Sequence, residues 1–208
     1  MRDVQKPDHK SLNSIIGMLR EGRFVIPDFQ RDFEWKPWDI KELIKSIFLD
    51  YYIGSLLLWK GKKENFDALS CETIYGFNNI HGVSPWNQDK SNPEFIVLDG
   101  QQRLTALYYS IIAPDVPLPN RKSRAIYFIK VDNFMQEQYD DAFQYDWLSK
   151  RYQRILSDQE IQFEEHFFPL SIIGKEGWDL PNWVQGYEQY WKKKYDDAQK
   201  AGETQNID

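Results

Sequence analysis

Phe95-Ile96-Val97-Leu98-Asp99-Gly100-Gln101-Gln102-Arg103-Leu104-Thr105 is the stretch on which the reading of this chain turns. Phe95 to Leu98 form an unbroken apolar run of strand length, the pattern of a buried strand. Asp99-Gly100 makes a tight turn. Leu104, Leu107, Tyr108, Ile111 and Ile112 then recur at helical spacing until Pro114. Asp-Gly also closes hairpins, but the residues after Gly100 have helical rather than alternating period. A buried strand is therefore predicted to pass through a turn straight into an amphipathic helix.

Such a junction suits an anion. A helix start presents free backbone N–H groups and a positive dipole end. Gly100 has no side chain, so a ligand can approach the backbone there. Arg103 can fork onto phosphate oxygens, and Gln101 and Gln102 can donate or accept hydrogen bonds. The plainer alternative makes Asp99 an N-cap and Gln101–Arg103 a solvated first turn. The local sequence leaves both open.

Upstream, Ser11 can cap a helix whose Leu12, Ile15, Ile16 and Leu19 share a face, with Gly22 as its stop. Phe24–Ile26 reads as a brief strand ended by Pro27. Pro37 and Asp39 suit the first turn of a second helix. Its stripe of Ile40, Leu43, Ile44, Ile47 and Phe48 is expected to pack beneath the sheet containing Phe95–Leu98. Tyr51–Trp59 reads as a buried strand. Residues 60–93 form a long polar connection, with a strand expected near Ala68–Tyr75. Downstream, the expectations are a strand over Ala125–Val131, helix across 134–165, a strand over Phe167–Ile173, a helix over Trp183–Tyr195 and a frayed end from Gln199. The fold class is α+β.

Composition narrows the function. The 208 residues carry a formal charge of −6, which counts against general affinity for nucleic acid. Cys71 is the only cysteine, so no disulfide framework or cysteine metal cluster is expected. No apolar run reaches the length of a membrane span and no signal peptide opens the chain, so a reducing, cytoplasmic setting is expected. There is no Gly-rich loop ending in Gly-Lys-Ser/Thr. The acids Asp140, Asp141 and Asp146 read as a solvated face, as do the basic residues Arg121, Lys122, Arg124, Lys150, Arg151 and Arg154.

A second polar segment, Ile26-Pro27-Asp28-Phe29-Gln30-Arg31-Asp32-Phe33-Glu34-Trp35, comes after the first short strand. Alone, it reads as a surface loop in which Arg31 pairs with a neighbouring acid. With Asp99–Thr105, it resembles the amino-terminal domain of the GmrSD-type modification-dependent restriction proteins, related to ParB and sulfiredoxin. That family has an Ile-Pro-x-(Phe/Tyr)-Gln-Arg run ending in Trp, matched from Ile26 to Trp35. It also has Asp-Gly-Gln-Gln-Arg-Leu-Thr, intact from Asp99 to Thr105. Between them lie the helix with Leu43, Ser46 and Ile47, then Ile53-Gly54 entering a strand. The likeness covers residues 11–131.

The resemblance implies a ParB/sulfiredoxin-like mixed sheet with packed helices over residues 1–131. A partly helical carboxy-terminal extension would cover 132–208, cut from a longer protein or serving a separate nuclease subunit. It implies nucleoside triphosphate binding and hydrolysis at Asp99, Gly100, Gln101, Gln102, Arg103 and Thr105, with Gln30 and Arg31 as a second wall. Asp99, Gln102 and Arg103 would be catalytic, with Mg2+ accompanying the triphosphate and Asp99 the nearest carboxylate. Family members continue into a nuclease domain of the His-Asn-His type. His9, His81 and His166 cannot complete such a site, so nuclease activity is not expected here. His166 reads as a strand edge. The alternative function is a DNA-binding or modification-sensing module without hydrolysis.

Overall fold

A computed structural model describes residues 9–74, 93–119, 121–175 and 177–200. In chain order the elements begin with α1 (Leu12–Arg20), β1 (Phe24–Ile26), α2 (Pro37–Phe48), β2 (Leu57–Lys60), α3 (Lys63–Ala68) and β3 (Glu72–Thr73). They continue with β4 (Phe95–Asp99), α4 (Gln101–Leu107), a π-helical turn at Tyr108–Ile112, β5 (Ala125–Lys130), α5 (Val131–Met135) and α6 (Tyr139–Ala142). The remainder is β6 (Phe143–Trp147), α7 (Lys150–Ser157), α8 (Gln159–Glu164), β7 (Phe167–Pro169), a 3-10 turn at Leu170–Ile172 and α9 (Asp179–Lys200). The fold is α+β, as the sequence predicts.

The described residues of 1–34 and 54–108 group into one compact unit, and those of 35–53 and 109–208 into another. In the first, β2-β4-β1-β3 form a sheet, with β1 parallel to β4 and antiparallel to β3. Val25 and Ile96, paired across the parallel strands, are fully buried and pack with Phe66 and Cys71. Burial pushes the Cys71 thiol up to about 11, so it is an inert core group, as expected of a lone cysteine. Ser11 caps α1, its hydroxyl accepting from Ser14 N–H, and Gly22 adopts a left-handed φ of 65° just past the helix.

The strand expected over Tyr51–Trp59 is only β2. Gly54 has a φ of +89°, so the chain turns there, and Tyr51 and Tyr52 are exposed. As an edge strand, β2 leaves Leu57 and Trp59 largely open to solvent, which overturns the expectation of burial. The short strand expected near Ala68–Tyr75 is β3, though Tyr75 lies outside the described residues. The frayed end expected from Gln199 lies mostly outside them too, and α9 runs to Lys200.

In the second unit, β6-β5-β7 form an antiparallel sheet. Ile126 and Phe128 of β5 pack with Ile155 and Phe167, the Phe128 and Phe167 rings stacking at 4.2 Å. Residues 134–165 are not wholly helical, because β6 interrupts them. The α2 stripe is buried at Ile40, Leu43 and Ile44, but it packs on β6 rather than beneath β4, with Phe48 edge-on to Phe143 at 5.4 Å. Periodicity gives the buried face of a helix, and topology chooses which sheet it meets.

Candidate functional site

The strand-to-helix junction exists as the sequence predicts: β4 ends at Asp99 and α4 starts at Gln101. Its cap differs. Gly100 is the N-cap, at a φ of 94°, with no side chain capping the helix, so Asp99 is left for other work. Nor is the first turn solvated. Gln101 and Gln102 are buried, and Thr105 has no exposed surface at all. The Thr105 hydroxyl is a buried group with no hydrogen-bond partner among the described residues.

Arg103 is held rather than waving in solvent. Its Nη2 donates to Ser55 O at 2.8 Å and to the Asp99 carboxylate at 3.2 Å. The Arg103 side chain is only 17% exposed, against 70% for its partner Asp99. Two glycines make the seat. A β-carbon at Gly54 would overlap Nη1, and one at Gly100 would stand 3.2 Å from Nη2 while overlapping Leu56. The space that Gly100 frees is therefore taken by Leu56 and Arg103, not left for a ligand to reach the backbone. Both glycines also have positive φ, so a side chain would be strained as well as crowded.

The first motif joins the second at two points. Gln30 Nε2 donates to Leu98 O at 2.9 Å and Val97 O at 3.2 Å, beside the end of β4. Gln102 Nε2 donates to Asp32 O at 2.9 Å, while its Oε1 accepts from Glu34 N–H at 3.0 Å. Both ends of that carboxamide are thus engaged with the backbone of the first motif. Arg31 instead points outward, 69% exposed, and pairs with Glu34 at 3.7 Å, the plain surface pairing open to it from its neighbours.

Sequence reasoning named Gln30, Arg31, Asp99, Gly100, Gln101, Gln102, Arg103 and Thr105. It missed Gly54 and the Ser55 carbonyl as parts of the site. The signal available was the Gly-Ser pair interrupting an otherwise apolar run, a mark of close backbone approach.

Elsewhere, His166 precedes β7 as expected of a strand edge, at a left-handed φ of 50°. Its Nδ1 lies 2.6 Å from the Tyr187 hydroxyl and its ring stacks on Trp191 at 4.5 Å. Burial lowers its pKa below the usual imidazole range, against the pull of Asp132. Asp140 pairs with Lys45 and Asp146 accepts from the Tyr152 hydroxyl. Among the described residues no group of three or more His, Cys, Asp or Glu could hold a metal ion, and no helix is long and apolar enough to cross a membrane.

Residues 12–207 match the family model described as the GmrSD restriction endonuclease, N-terminal domain. An uncharacterised protein of Methanocaldococcus jannaschii is 30% identical over 195 residues, covering 90% of this chain. The chain spans 32% of that relative's length.

Proposed function

This chain belongs to the amino-terminal domain family of the GmrSD restriction endonucleases, and we propose that its Asp99–Arg103 turn binds and hydrolyses a nucleoside triphosphate. On this reading, the state of the nucleotide licenses DNA cleavage by another domain or a partner nuclease. The observation that carries it is the seat of Arg103: a guanidinium fixed between Gly54 and Gly100, beside an exposed carboxylate at a strand end. A preorganised guanidinium stabilises phosphate charge without rearranging at the moment of reaction.

Each role rests on a placement. Arg103 meets the phosphates and stabilises charge as the terminal phosphoryl group leaves. Asp99, exposed at the lip, is the residue to orient the attacking water. Gln30 fixes the β4 carbonyls beside it. Arg31 is exposed and held only by a long surface pair, so it can swing to added phosphate charge. Gln101, Gln102 and Thr105 are buried, and we assign them to supporting the turn, with Gln102 fastening the first motif. Mg2+ suits a site with one carboxylate, because it commonly binds through one or two carboxylates plus substrate phosphates and water; Asp99 would be that ligand.

The test is titration of ATP and GTP, with phosphate release, on wild type, Arg103→Ala and Arg103→Lys. A lost charge-assisted contact should weaken binding about ten- to a hundredfold. Lysine should restore only part, since a point charge lacks the fork. A folded Arg103→Ala protein that binds and turns over nucleotide like wild type would end this reading. Salt-sensitive DNA binding without any nucleotide requirement would then favour a DNA-sensing module.

A further inference from the structure

Resting on that reading, the Asp99–Arg103 pair has an asymmetry that bears on how the site is regulated. Arg103 is held by shape. Gly54 and Gly100 leave room only for its guanidinium, and Ser55 O accepts from Nη2 at 2.8 Å. Asp99 is held by little besides Arg103: its side chain is 70% exposed and its contact is the longer one, 3.2 Å. The seated partner is the cation, and the movable partner is the anion.

We propose that the Asp99 carboxylate occupies the position of a ligand phosphate on Arg103, so that nucleotide binds by displacing it. Asp99 is then an internal competitor in the empty site, and the residue released to the lip once phosphate has taken its place. Gly54 is the positioning residue that makes the exchange possible, because the guanidinium keeps its seat when Asp99 leaves. A carboxylate and a phosphate compete for the same forked donor, since both present paired oxygens at similar spacing. The exchange also explains why an acid beside a phosphate site is tolerated: it neutralises the semi-buried guanidinium until ligand arrives.

The experiment uses the whole chain and two probes, inorganic tripolyphosphate and magnesium-free ATP, titrated calorimetrically at low ionic strength. The proteins are wild type, Asp99→Asn, Gly54→Ala and Arg103→Ala, each checked by thermal melting. Removing a competing exposed carboxylate should tighten binding of both probes about three- to tenfold in Asp99→Asn. Gly54→Ala should lose binding about tenfold or more while remaining folded, because the new methyl group displaces the guanidinium. If Asp99→Asn binds as wild type or more weakly, Asp99 is a support for Arg103 and not a competitor, and the proposal is overturned. If instead Arg103→Ala binds both probes as well as wild type, or wild type binds neither, the phosphate reading itself has failed. Those two failures appear in different proteins and cannot be confused.

Discussion

The carboxamide of Gln102 donates to the carbonyl of Asp32 at 2.9 Å, and its oxygen also takes the Glu34 N–H. Through this one buried side chain the second motif clasps the backbone of the first. A loop of 27–34 that reads as surface in isolation is thereby fixed beside the end of β4.

Gln102→Ala should cost about 1–3 kcal/mol, because a buried amide is lost and two backbone groups lose their partner. Gln102→Glu should not restore stability, since a carboxylate cannot donate to Asp32 O. Urea unfolding measures the cost, and hydrogen exchange at Glu34 locates it. A Gln102→Ala protein as stable as wild type, with Glu34 still protected, would show that the clasp does nothing.

The two glycines Gly100 and Gly17 should respond to alanine in opposite directions. Gly100 has a φ of 94° and a side chain there would meet Leu56, so Gly100→Ala should destabilise by about 1–3 kcal/mol. Gly17 lies within α1 with nothing within 4 Å of its absent β-carbon, so Gly17→Ala should stabilise by up to about 1 kcal/mol. Melting both variants side by side checks the pair. A shift of the same sign in both contradicts the assignment.

Ile44 is 1% exposed in the α2 stripe. Its truncation to Ala should cost about 2–5 kcal/mol. Ile47, on the same helix but only half-buried, should cost clearly less. Denaturation midpoints of the two variants give the comparison, and equal losses would place the buried face wrongly.

His166 gives a pH dependence. Its folded pKa is lowered by burial, and the groups acting on it are Asp132, which favours the charged form, and Lys130 and Lys194, which disfavour it. Tyr187, itself pushed up to about 12, stays neutral throughout. A depressed histidine takes up its proton more readily when unfolded. Its contribution is therefore complete above its ordinary value of 6.5 and is lost as pH falls from there through the folded pKa. Melting between pH 8 and 5 should show wild type losing more stability than His166→Gln over that window. Parallel curves would show that His166 does not contribute.

How much was legible can be judged element by element. The β4–α4 junction, the cap at Ser11, the buried face of α2 and the strand β5 were all readable, because each is written in local periodicity and in turn chemistry. So was the pairing of two motifs into one family. Residue type also named Arg103 and Asp99 as the chemistry of the turn. What the sequence could not decide was where separated segments meet. It could not say that Gln102 would turn inward to clasp Asp32 and Glu34, seventy and sixty-eight residues away. Nor could it say that α2 would lie on β6, or that Gly54 would hollow a seat for Arg103. Backbone propensity acts over a few residues, whereas burial and donor–acceptor pairing are settled by whichever groups the completed chain path brings together.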